Sequence, residues 1–481
     1  MKKSVFLAIA FSLFVSNALV AQDSLWSRFY GHTGNGGVFD SDRGMCGTVA
    51  SDGGYAIGGV SYAFQGLLSE FWLVRTDSNG DTLWTRNYGT VGFEEAHYLI
   101  QTDDGGYVLC GDTKPSGGNY NLYIVRTDSL GDTLWTRSFG SPAGDDKGWA
   151  IVQTDDGGFL AVGHGYGSGW DVYMVRLNES GDSLWSKKYG GSHPDAAYGV
   201  TQTADGGFAL VGQYANDDFG DTDLWLLRVD SLGDTLWTRK YSYSGGWSRG
   251  EAIAKTSDGG FVIAGQNWLT LTNVVMLLVR TDSLGNEIWH KEYGGPNIDN
   301  AMSLDITSDG GIVAGGQTDS FGGGNKDFYI VRTDSSGDSL WSAVFGHNGI
   351  DYCHEIRVDP SGDIMAFGQH HIYGSQDFDY WMIKIADSTA QSGCEYVVGD
   401  VNDSDSYNGL DITYGVNFFK GGSDPMCPFG SCSISPCDTF FYCGDVNGSC
   451  SYNGLDITYG VAYFKSGPDP IPCPDCPPTG D

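Results

Sequence analysis

Apolar residues in this chain rarely fall at helical spacing. They come in short runs of four to eight, bounded by Asp-Gly-Gly, Gly-Asp and similar turn signals, which is the pattern of strands joined by tight hairpins. One unit, TDDGGYVLCGDT followed by NLYIVRTDSLGDTLWTRSFG, recurs every 49 to 53 residues. Its turn is marked at Asp52, Asp104, Asp156, Asp205, Asp258 and Asp309, each followed by two glycines, and again at Ser361-Gly362-Asp363. Each unit predicts four antiparallel strands: a short one before the Asp-Gly-Gly turn, an apolar one after it, a third such as residues 122–127, and a fourth holding a Trp.

A repeat of about 50 residues with four strands is the period of a propeller blade, and seven turns predict seven blades. One such sheet cannot bury both faces, so neighbouring sheets must stack, and the rings of Trp84, Trp135, Trp185, Trp237, Trp289 and Trp341 suit that seam. The seventh unit has no Trp strand after residues 380–385. The segment Asp23-Ser24-Leu25-Trp26-Ser27-Arg28-Phe29-Tyr30-Gly31 repeats the fourth-strand pattern without three strands before it. The expected fold is therefore an all-β, seven-bladed β-propeller over residues 22–390, closed by its N-terminal strand.

The hairpin Asp-Ser-x-Gly-Asp-x-Leu-Trp resembles that of pyrroloquinoline-quinone-type propeller repeats, shorter by one residue, and is similar to the tandem repeats of bacterial exported propellers. The resemblance spans residues 23–388 and implies the fold. It implies no quinone, because the site residues of the quinone enzymes have no match here.

Two lysines, an apolar run over residues 5–15 and small residues up to Ala21 have the layout of a secretory signal peptide over residues 1–21. That run is too short to span a bilayer, and no later stretch is long enough. With 60 acidic against 26 basic residues the net charge is −34, which repels nucleic acid and anionic membranes. A secreted chain with neutral, cationic or metal partners follows. Eight of the 11 cysteines lie between Cys394 and Cys476; in an exported protein they read as a disulfide framework whose pairing stays open. Cys46, Cys110 and Cys353, far apart, are expected as buried free thiols.

Polar groups return at fixed places in the repeat. Asp42, Glu94, Asp146, Asp195, Asp299 and Asp351 precede the first strands, with Ser248 in the fifth unit. Glu70, Asn121, Asp171, Asp223, Asp327 and Asp379 open the third strands, with Val275 in the fifth. Both sets are expected on one face, where they cap loop amides or form a cationic-ligand or cation site. The second strands carry Gly59, Gly111, Gly163, Gly212, Gly265, Gly316 and Gly368, often followed by a polar residue. No nucleophile motif appears, and His370-His371 lacks a helical metal-binding frame.

Residues 391–481 contain two near-copies, GDVNDSDSYNGLDITYGV and GDVNGSCSYNGLDITYGV. Asp400, Asn402, Ser404, Ser406 and Asp411, with Asn408, and Asp445, Asn447, Ser449, Ser451 and Asp456, with Asn453, place hard oxygen donors at alternating positions of a twelve-residue loop, as calcium requires. The doubled pattern resembles the type I dockerin. The resemblance implies a small disulfide-rich α domain that binds calcium and docks on a cohesin-like protein. Cys450 and Asp405 replace the loop glycine, and the Ser at position 5 weakens the sites. The expected function is a secreted binding and assembly protein, its propeller a platform for a protein or a glycan. The alternative is a propeller carbohydrate-active enzyme, a glycoside hydrolase or lyase, carried to a cellulosome-like assembly by its dockerin.

Overall fold

The computed structural model describes residues 24–387 apart from 32–40, 63–67, 91, 168, 218–220, 244–245 and 372–377. The leader and the whole of residues 391–481, both calcium loops included, lie outside the described residues. Within them the chain is all β, with 28 strands and no helix. Consecutive strands pair antiparallel into four-stranded sheets, an arrangement that fits a propeller. One parallel bridge, Thr222 to Trp247, ties the fourth sheet to the fifth.

The N-terminal strand Ser24–Tyr30 pairs antiparallel with the last strand, Phe378–Ile385, Phe29 facing Trp381. It thereby joins the three strands of residues 352–385 as their fourth. Seven apolar cores lie between consecutive sheets. One of them joins Tyr30, Met365, Phe367 and Tyr380 of the last sheet to Tyr55, Ile57 and Trp72 of the first. Cys46, Cys110 and Cys353 sit in three of these cores as buried free thiols, as the sequence leads one to expect.

Three contacts repeat from sheet to sheet and explain the regular spacing of the units. In each of six sheets the third-strand Arg reaches the Asp of the Asp-Gly-Gly turn, as Arg126 does with Asp104 at 2.5 Å. At the seams, the fourth-strand Trp lies over a glycine of the next sheet's Ser-x-Gly turn, where any Cβ would run into the ring; Trp84 covers Gly131 and Trp26 covers Gly80. Those glycines have φ near +80°, which a side chain would oppose in any case. Five fourth-strand tyrosines then donate to the same glycine's carbonyl, among them Tyr88 to Gly131 at 2.8 Å and Tyr30 to Gly80 at 2.6 Å. The strand Ser24–Tyr30 therefore makes towards the first sheet the contacts that the other fourth strands make towards theirs.

Candidate functional site

The first strands of the seven sheets share one irregularity. Register against the second strand breaks between Gly44 and Cys46, Ala96 and Tyr98, Gly148 and Ala150, Ala197 and Gly199, Gly250 and Ala252, Ala301 and Ser303, and Cys353 and Glu355. A bulge leaves one residue unpaired and re-aims its side chain. The seven residues so released are Met45, His97, Trp149, Tyr198, Glu251, Met302 and His354, and all seven line one cavity of ≈590 Å³. Opposite each break stands the recurrent second-strand glycine: a Cβ on Gly111 would strike the Glu95 carbonyl oxygen, and one on Gly163 that of Lys147. The glycine is what allows the two backbones to close up beside the bulge.

Aromatic faces make up one side of this cavity. The His97 ring lies 4.3 Å from Trp149, and Trp149 5.7 Å from Tyr198. The Arg249 guanidinium stands 5.2 Å from the Tyr198 ring and donates from Nε to Glu251 at 2.5 Å. Trp149 Nε1 donates to His164 Nδ1 at 2.9 Å. His97 Nε2 and Asp112 Oδ1 share a hydrogen bond of 2.7 Å, and the Lys147 ammonium lies 2.9 Å from the other Asp112 oxygen.

The other side is a polar network. The Ser303 hydroxyl donates to Glu355, and Arg357 donates to Glu355 at 2.6 Å and to the Tyr98 hydroxyl at 3.1 Å. Burial raises the Glu355 carboxyl above its usual range, against the pull of Arg357. Burial also pushes His354 down to about 4, so this imidazole is neutral at physiological pH, and pushes Tyr198 up to about 12. The cavity thus offers flat apolar faces, hydroxyls and neutralised ion pairs, which together suit a polar, uncharged ligand.

None of the six acidic residues that precede the first strands lines this cavity. All six are buried, and the bonding of Glu94, Asp146, Asp195, Asp299 and Asp351 is local. Glu94 accepts from the hydroxyls of Thr90 and Thr113, and Asp146 from the amides of Ser141 and Tyr166 and from Lys188 Nζ. Asp195 accepts from the amides of Gly191 and Ala215. Asp299 takes the Gly295 amide and the hydroxyls of Thr318 and Ser320, and Asp351 takes the amides of His347 and His371 and the His370 ring. In the fifth sheet Ser248 fills the same place, accepting from the Leu224 amide.

No protein-family profile and no curated protein matches the sequence. Solved structures of propeller type are similar in fold. They include YCF48 bound to D1 peptide, 9% identical over 76% of this chain and 97% of that chain, with a TM-score of 0.44. The α-L-arabinanase of Penicillium chrysogenum complexed with arabinobiose is 10% identical over 76% and 98%, with a TM-score of 0.42. The extracellular domain of a putative hybrid two-component system of B. thetaiotaomicron is 10% identical over 75% and 43%, with a TM-score of 0.43. Among the described residues no helix is long and apolar enough to cross a membrane.

The acidic columns were visible in the sequence because they repeat; the seven bulge residues were not, because they share no residue type. Their signal was indirect. Each first strand holds, immediately before its bulged residue, a small residue such as Gly44, Ala96 or Gly148, and each second strand holds the glycine that permits the bulge.

Proposed function

We propose that this protein is a secreted binding and assembly protein: a seven-bladed propeller closed by its N-terminal strand, taking a neutral polar ligand of glycan type in its central channel. One observation carries this reading. On a scaffold that repeats its contacts from sheet to sheet, the seven residues released into the channel by bulges are of five different types, Met45, His97, Trp149, Tyr198, Glu251, Met302 and His354. Aromatic faces at His97, Trp149 and Tyr198 match the apolar faces of sugar rings, and the Arg249–Glu251 and Arg357–Glu355 pairs supply donors and acceptors for hydroxyls.

The doubled loops at Asp400, Asn402, Ser404, Ser406 and Asp411 and at Asp445, Asn447, Ser449, Ser451 and Asp456 then hold calcium and dock the chain on a cohesin-like partner. Chelation should abolish capture by a cohesin while leaving channel binding intact.

A glycan array followed by calorimetry tests the channel. Trp149→Ala and Tyr198→Ala should each weaken binding by about fivefold or more, since a stacked aromatic contributes about 1 kcal/mol or more at such a site. Unchanged affinity in both variants would remove the reading. A second reading, glycan cleavage, has one observation in its favour: burial keeps the Glu355 carboxyl protonated to a higher pH, as a general acid requires. Hydrolysis by the wild type that is lost in Glu355→Gln, with binding retained, would select cleavage.

A further inference from the structure

The seventh sheet departs from its six counterparts beside the Asp351 carboxylate. The residue after the fourth-strand Gly is Thr90, Ser141, Gly191 or Gly295 in four units and a histidine in two, His32 and His347, the latter at the sixth-to-seventh seam. Two residues after the second-strand glycine stand Ser61, Thr113, Gly165, Tyr214, Asn267 and Thr318 in six sheets, and His370 in the seventh. Thr113 and Thr318 spend their hydroxyls on capping Glu94 and Asp299. His370 gives the same cap, Nδ1 to Asp351 at 2.7 Å, but brings a second ring nitrogen that the cap does not need.

We propose that His347, His370 and Asp351 form a binding site for a first-row divalent metal of the zinc class. Their ligand atoms all lie within 4.8 Å of one another, and the two imidazole centroids are 4.6 Å apart. Asp351 is fully buried and fixed by the amides of His347 and His371 and by the His370 ring, which holds its carboxylate in place beside both imidazoles. His347 is exposed, giving an ion a path in. Two imidazoles and a carboxylate are a zinc-type donor set that leaves a coordination position open.

A further group points to a cation here. Asp327, 1% exposed, feels the charge of both Asp351 and His347, and its Oδ1 has no hydrogen-bond partner. Gly346 must be glycine for that carboxylate to fit beside the loop. A second set with metal-ligand spacing, Glu95, His97 and Asp112, differs in a decisive way: the Lys147 ammonium already stands 2.9 Å from Asp112 and serves as its cation.

The test uses the full chain, stripped with a chelator and titrated with zinc chloride by calorimetry, beside His347→Gln and His370→Gln. Gln at 370 still donates a hydrogen bond to Asp351, and 347 lies at the surface, so both variants should melt with the metal-free wild type. The wild type should bind one zinc more than either variant, or bind it about tenfold or more tightly. The cysteine-rich tail is common to all three proteins and cancels. Cobalt(II) at the extra site should show d–d bands without thiolate charge transfer. Equal zinc stoichiometry and affinity in all three proteins, or a cobalt spectrum that is wholly thiolate, would overturn the proposal.

Discussion

The seams between sheets and the lining of the channel are built from the same seven repeats, yet they obey opposite rules. At the seams the Trp, the positive-φ glycine and the tyrosine hydroxyl recur because each constrains the others: the ring needs a residue without a Cβ beneath it, and the hydroxyl needs that residue's carbonyl. Along the channel, the bulged residue has no ladder partner to satisfy. It is free to be Met, His, Trp, Tyr or Glu without disturbing its sheet. Repetition here marks what holds the fold, and departure from it marks where the backbone leaves the side chain free to vary.

The comparison breaks most severely if the seam built by Ser24–Tyr30 is removed. Deleting residues 24–31 should expose the edge of Phe378–Ile385 and the face of Tyr55 and Trp72, leaving a protein that is insoluble or strand-swapped. Size-exclusion chromatography of the truncated chain checks this; a soluble monomer with the parent melting temperature would show that the strand is dispensable.

A smaller effect should separate two versions of one repeated contact. Arg332 is fully buried and binds both Asp309 and the equally buried Asp387, at 2.7 Å each. Arg332→Ala should cost about 3–5 kcal/mol, because the buried Asp387 carboxylate keeps the Trp341 Nε1 hydrogen bond but loses the charge of the guanidinium. Arg280 faces Asp258, which is 61% exposed, and Arg280→Ala should cost about 1 kcal/mol or less. Denaturant melts of the pair provide the measurement, and equal losses would refute the distinction.

The smallest effects should appear in pH profiles. Hydrogen bonds from Thr154 and then Arg176 hold Asp156 at about 2, and those from Thr256 and Arg280 do the same for Asp258. A carboxyl whose folded value lies below its unfolded one stabilises the fold above about pH 4 and stops doing so as pH falls towards 2. In the channel, burial holds His354 neutral down to about 4. The unfolded chain binds that proton first, so stability should decline as pH falls from about 6.5 to 4. Asp156→Asn should flatten the lower window of the melting curve and His354→Gln the upper one.

Much of the scaffold was legible in the chain, because its determinants are backbone requirements that sequence reports directly. Asp-Gly-Gly and Ser-x-Gly-Asp can serve few purposes other than tight turns, and a fourth-strand motif at residues 23–31 with no sheet before it can only complete one elsewhere. The acidic columns were equally legible, but a carboxylate repeated in six of seven units was read for a ligand and for a cap alike. The structure shows the capping bonds, with the Asp195 oxygens on the amides of Gly191 and Ala215. The channel lining stayed hidden because a bulge interrupts the alternation by which inward residues are recognised. His97 and Trp149 therefore fall out of phase with their own strands. His347 was hidden for another reason: only its distance from His370, 23 residues later in the chain, gives it meaning.

The pairing of Ser24 with Ile385 has a mechanical consequence. Because the two strands run antiparallel, the chain enters and leaves this sheet at the same corner. A pull exerted between those two points loads the hydrogen bonds one after another, as a zip is opened, and needs little force. A pull between residue 387 and the strand Tyr352–Val358 would instead be carried across the full width of the sheet. How the protein is tethered thus decides whether its clasp is a weak point or bears no load.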